Sequence, residues 1–143
     1  MTHLVFYEKP GCGGNARQKA WLAEAGHTLE VRDLLSWPWT RDALLEFLGP
    51  LPVEQWFNRA APRVKSGEVE PHALDPDSAL SLLLEEPLLI RRPLMACGQA
   101  RLVGFDPVAV NDWIGLLASH AELPAHRAEG CAAAADAGCT VRR

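Results

Sequence analysis

The stretch that most restricts how this chain can fold is FYEKPGCGGNARQKAWL, Phe6–Leu22. An apolar run of strand formers, HLVFY at His3–Tyr7, is broken at Pro10-Gly11, and Cys12 stands where a run of good helix formers begins. A helix is predicted from about Cys12 to Ala25, stopped by Gly26, which suits a left-handed C-terminal cap. The next segment, HTLEVRD at His27–Asp33, alternates Thr28, Glu30 and Arg32 with Leu29 and Val31 and predicts a second strand. Strand, helix and strand in so short a length imply a parallel pair joined by a right-handed crossover.

A sulfur at the start of that helix faces backbone N–H groups that have no partner within the helix, and the positive end of its dipole. Both favour thiolate over thiol, and Lys9 and Arg17 act in the same sense. The arrangement is compatible with a reactive cysteine, with an anion-binding loop, or with both. It is also that of a small, buried apolar residue at a glycine-rich turn.

Downstream, Leu35–Trp39 reads as a turn and Thr40 as the N-cap of a helix Arg41–Leu48, ended by Gly49-Pro50. Pro52–Phe57 is expected to be a short helix with Trp56 and Phe57 turned inward. The segment NRAAPRVKSGEVEPHALDP lacks sustained periodicity and predicts a loop with at most a helical turn or two, covering one side of the site. Asp75 or Asp77 can cap a helix reaching about Glu85. A third strand is predicted to begin at Leu88–Ile90 and continue through Leu94–Ala96. It turns at Cys97-Gly98-Gln99 and returns as Arg101–Val103. Asp106-Pro107 opens a last helix with Val110, Trp113, Ile114 and Leu117 on its apolar face. From about Ala121 the chain is small, polar and alanine-rich, and cannot bury enough surface to offset its ordering entropy. The expected division is a folded domain over 1–118 and a mobile tail over 119–143.

With 143 residues, 48% of them hydrophobic and 22% charged, one globular domain with its own core is expected. A net charge of −4 weighs against nucleic-acid binding. No apolar run approaches the roughly 18–20 residues of a membrane span, and the N-terminus leads into a strand without a secretory pattern. The expectation is a cytoplasmic protein whose four cysteines, Cys12, Cys97, Cys131 and Cys139, rest as thiols. Their spacings match no zinc pattern and the histidines are scattered, so neither a metal nor a bound cofactor is expected.

The second informative signal is PLLIRRPLM, Pro87–Met95. Side chains alternate across a strand, so one of Arg91 and Arg92 is expected to face the cysteine loop and the other the opposite side. Together with the Cys12 turn, this segment resembles the arsenate reductase/Spx (ArsC) family of thioredoxin-fold proteins. YEKPGC, RQKAWL, WFN at Trp56–Asn58 and LLIRRPL are most similar to the nitrogenase-associated proteins, a subgroup found among nitrogen-fixation genes. The similarity runs from about residue 3 to about residue 117. It implies an α/β, thioredoxin-like (ArsC-type) fold: a mixed four-stranded sheet with helices and a helical insertion.

The resemblance also implies a site. Cys12 would be the catalytic thiolate, attacking an oxyanion such as arsenate. The oxyanion-binding set would be Arg92 with Gly13, Gly14, Asn15, Arg17 and Arg59, and Pro93 would follow a cis peptide bond. Arg91 is expected in a structural ion pair. Glutathione or glutaredoxin would resolve the adduct, with Cys131 or Cys139 as other conceivable resolving thiols. The chain departs from the family pattern where Arg101-Leu102-Val103-Gly104-Phe105 lacks an arginine after the hairpin, and where Asn15-Ala16-Arg17 replaces Ser-Arg-Asn. Asn15 also stands where Spx-type regulators have a second cysteine. Two readings follow: a thiol-dependent reductase or redox protein linked to nitrogen fixation, or a non-catalytic ArsC/Spx-like partner of nitrogenase or its assembly machinery. Trp37, Trp39, Trp56 and Phe57 are read as core and loop anchors rather than a partner patch, and Lys9 and Lys19 as solvated surface charges.

Overall fold

The computed structural model describes residues 2–117; the segment expected to be a tail lies outside them. Strand β1 (His3–Glu8) leads through the cysteine turn into helix α1 (Gly13–Glu24), which returns as strand β2 (Thr28–Asp33). β1 and β2 pair in parallel from His3↔Thr28 to Glu8↔Asp33, as the crossover rule requires. Gly26, with φ of 94°, reverses the chain between them.

The insertion comprises α2 (Arg41–Leu48), a short α3 (Pro62–Lys65), α4 (Pro76–Glu85) and three single turns of 3₁₀ helix. Thr40 caps α2 by accepting the Ala43 N–H, and Asp75 caps α4 by accepting the Ser78 N–H. The loop at Asn58–Leu74 holds only α3 and one 3₁₀ turn, as its composition suggests. Strands β3 (Leu94–Cys97) and β4 (Ala100–Val103) form the hairpin, and α5 (Pro107–Ile114) closes the fold behind its Asp106 cap. The sheet order is β2-β1-β3-β4, with β3 antiparallel to both neighbours. One expectation is corrected: Leu88–Ile90 does not begin β3. Pro87–Leu89 is a 3₁₀ turn and Ile90 makes an isolated bridge to Phe57, because Pro87 and Pro93 each remove a backbone donor on either side of it.

Alternation along the strands separates two cores. Leu4, Phe6 and Met95 face α1 and α5, joining Trp21, Leu22, Phe105 and Val110. Tyr7 and Leu94 face the insertion, joining Leu44, Phe47, Trp56, Phe57, Leu80 and Leu83. Trp37 and Trp39 pack around Tyr7 with ring centroids 5.4 and 4.9 Å away, so they anchor a loop, as read from sequence. Leu117, expected on the apolar face of α5, is 43% exposed because the helix stops at Ile114. Among the described residues no helix is long and apolar enough to cross a membrane.

Buried His27 holds the two chain ends of the domain together. Its Nδ1 accepts the Thr2 N–H at 3.1 Å, which makes Nε2–H the donor to the Gly115 carbonyl at 2.8 Å. A general-base role was not read for it, and this structural use accounts for its burial.

Candidate active site at the cysteine turn

Three strand ends meet at one edge of the sheet. β1 leaves at Glu8, and the Cys12 N–H donates to the Lys9 carbonyl at 3.1 Å, closing the turn. Gly11, at φ of 83°, takes a conformation a side chain would resist. The β1–β3 pairing runs to Tyr7↔Leu94, so the Arg92-Pro93 segment enters β3 at the end of the sheet where β1 leaves for the cysteine turn. On the other side, the Gly104 N–H donates to the Pro93 carbonyl at 2.8 Å, bringing in the end of β4. The Arg92–Pro93 peptide bond is cis, as the family resemblance implied.

Cys12 is the N-cap of α1. It is only 6% exposed, has extended dihedrals (φ −77°, ψ 119°), and its Sγ accepts the Asn15 N–H at 3.4 Å. One of the four helix-start N–H groups is thus satisfied by sulfur rather than by the usual side-chain oxygen. Gly13 and Gly14 occupy the next two positions and are buried, so the first-turn N–H groups expected to cradle an anion lie directly beside the sulfur. Cys97 is a free thiol. It lies in register beside Leu4, at the far end of β1, about 13 Å of strand from Glu8 and so out of reach of Cys12.

Asn15 was read as an oxyanion ligand, and here the structure gives its side chain another task. Its Oδ1 accepts the Lys9 N–H at 3.1 Å and its Nδ2 donates to Gln18 Oε1 at 2.9 Å. Asn15 and Gln18 are 2% and 1% exposed. Gln18 was not singled out in the sequence. A glutamine at i+3 from an asparagine in the first turn was the available signal.

The arginines separate by position. Arg92 is 8% exposed, at the sheet end beside the cysteine turn. Arg91 donates its N–H to the Trp56 carbonyl, and its guanidinium lies against Gly104, where a Cβ would fall 2.5 Å from Nη2. The φ of Gly104 is +77°, so geometry and space both call for glycine there. Arg17 lies along α1 with Cζ 5.6 Å from the Trp21 ring centre. Arg59 is exposed and follows Asn58, whose N–H donates to the Leu89 carbonyl. Lys19, read as a solvated charge, instead pairs with Glu8 at 2.6 Å and ties α1 to the end of β1. No group of three potential metal ligands occurs among the described residues.

The profile of the ArsC family matches residues 7–113, from the end of β1 to α5. The chain belongs to the ArsC family. It is 55% identical over 118 residues to an uncharacterized 15.7 kDa protein in the draG 3′ region of Rhodospirillum rubrum, covering 82% of each chain. Among solved structures it superposes on a putative ArsC family related protein from Bacteroides fragilis with a TM-score of 0.67 at 24% identity, covering 76% of this chain and 95% of that one. An arsenate reductase from Vibrio cholerae gives 0.64 at 23%, covering 78% and 97%. The thioredoxin-like ArsC fold expected from the cysteine turn and the RRP segment is the fold this member has.

Proposed function

We propose that this ArsC-family protein is a thiol-dependent reductase or redox protein in which Cys12 is the reacting group beside an arginine-lined oxyanion site. The observation that carries this reading is the capping geometry of Cys12: its Sγ receives a helix-start N–H, at the end of the sheet where the segment holding buried Arg92 enters β3. The thiolate would attack a tetrahedral oxyanion such as arsenate, forming a sulfur–arsenic bond as one oxygen leaves as water. A second thiol, from glutathione or glutaredoxin, would attack the Cys12 sulfur. Arsenic then takes the electron pair of the broken bond and the two thiols end as a disulfide. Arg92 and the N–H groups of Gly13 and Gly14 would hold the anion's oxygens.

A second reading has a specific observation in its favour. The Arg101–Phe105 segment lacks the arginine that the family pattern places after the hairpin, and Arg59 is exposed. A site so thinned suits a partner protein better than an efficient enzyme. The resemblance of YEKPGC, RQKAWL, WFN and LLIRRPL to nitrogenase-associated proteins points to nitrogenase or its assembly machinery as the setting. Turnover of arsenate with glutathione and glutaredoxin separates the two readings. The reductase reading expects activity that Cys12→Ser abolishes. Absence of wild-type turnover, with recovery of a nitrogen-fixation protein in pull-downs, would favour the partner.

A further inference from the structure

We propose that Asn15 and Gln18 are positioning residues for Cys12: a buried, uncharged amide pair that fixes the sulfur against the sheet end and keeps its surroundings free of negative charge. The proposal rests on the reading of Cys12 as the reacting thiol and deepens it.

Three hydrogen bonds among three residues close the turn. The Lys9 carbonyl accepts the Cys12 N–H, the Lys9 N–H donates to Asn15 Oδ1, and the Asn15 N–H donates to Cys12 Sγ. Residues 9, 12 and 15 thus form a ring in which moving the Asn15 side chain moves both the end of β1 and the donor that faces the sulfur. Gln18 completes the ring from the next turn of α1 by accepting from Asn15 Nδ2 at 2.9 Å. Asn15 and Gln18 are almost fully buried, where a lost partner is costly and a satisfied one rigidifies.

The chemistry of the pair follows from its neutrality. An aspartate at 15 has the shape of asparagine and would still accept the Lys9 N–H, and Gln18 could turn its amide to donate to the second carboxylate oxygen. The turn would be retained, yet a buried negative charge would be placed on the residue whose N–H faces the sulfur, and would oppose the thiolate. An amide is the side chain that ties this turn while leaving the thiolate unopposed.

The test uses the full chain, reduced, with Cys97, Cys131 and Cys139 replaced by serine so that only Cys12 is alkylated. The rate of iodoacetamide reaction is followed against pH, and the melting temperature is measured for each variant. Asn15→Asp is expected to raise the midpoint of the alkylation profile by about one unit or more while the protein stays folded. Gln18→Ala, which touches no reacting atom, is expected to slow Cys12 alkylation at neutral pH. The double variant Asn15→Ala/Gln18→Ala should be no worse than Asn15→Ala alone, as expected of residues that act as one unit. An unmoved profile in both Asn15→Asp and Gln18→Ala, with only the melting temperature changed, would overturn the proposal. The two readings fail separately. A low wild-type midpoint that the variants leave in place removes the positioning role and keeps the reactive thiol. An ordinary wild-type midpoint that Asn15→Asp still raises keeps the positioning role and removes the reactive thiol.

Discussion

Cys12 caps α1 with its own sulfur, so the N–H that orders the turn also attends the atom proposed to react. A serine at 12 keeps the cap and removes the thiol. Arg92 is the residue on which oxyanion binding should depend most. Arg92→Lys retains the charge but loses the planar fork. It is expected to weaken arsenate or sulfate protection of Cys12 by roughly ten- to a hundredfold, the range for one charge-assisted hydrogen bond. Gly104 presents a different kind of constraint. Gly104→Ala would put a methyl group into the Arg91 guanidinium at a φ of +77°, and should cost about 1–3 kcal/mol in the urea unfolding midpoint. An unchanged midpoint would mean that Arg91 can move aside and that the turn is not held by this contact. Whether another thiol of the chain pairs with Cys12 on oxidation is open to peptide mapping of the oxidised full chain, with Cys131→Ser and Cys139→Ser compared. Loss of the Cys12 disulfide in one of them would name a resolving thiol, and its survival in both would direct attention to an external one.

The helices of the insertion are fixed at their starts by side-chain caps. Thr40→Ala removes the acceptor for the Ala43 N–H and should lower stability by about 1 kcal/mol in chemical denaturation. At α4 the cap is a carboxylate. Asp75 is held below the usual carboxylate range, first by the side-chain bond with Ser78 and then by backbone donors of the first turn. A depressed folded-state pKa means its contribution is present above the unfolded value of about 3.9 and is lost as pH falls through the folded one. The melting temperature of the wild type should therefore fall more steeply below about pH 4 than that of Asp75→Asn. Parallel curves would contradict the assignment. These caps, and the strands β1 and β2, were legible in the sequence because each is set by local chemistry: a polar acceptor before a helix, an alternation of two. The course of Leu88–Ile90 was not legible in the same way. Its apolar run fits a strand, and only its prolines and the tertiary bridge to Phe57 decide against one.

On the scale of the molecule, the site exists because three strand ends converge. The Cys12 turn, the cis-proline segment and the β4–α5 turn are far apart in sequence and adjacent at one end of the sheet. Cys12, Arg92 and Pro93 stand out in the sequence because their types are unusual for their surroundings, and the structure has the cis bond expected at Pro93. The sequence could not disclose the Lys9–Asn15–Gln18 ring, since an asparagine and a glutamine in a first turn are ordinary until burial shows that neither faces water. Nor could it show that Arg59 is exposed while Arg92 is buried, because that depends on tertiary packing.

The most direct test of the whole account is the pH dependence of Cys12 alkylation in the reduced protein, with arsenate, sulfate and phosphate added in turn and Cys12→Ser as the blank. The account expects a midpoint well below the ordinary thiol value of about 8.5, and slower alkylation when an oxyanion is present, with that protection weakened in Arg92→Lys. A midpoint at or above the ordinary value, indifferent to every anion, would contradict it and leave the ArsC fold here as a scaffold for binding a partner.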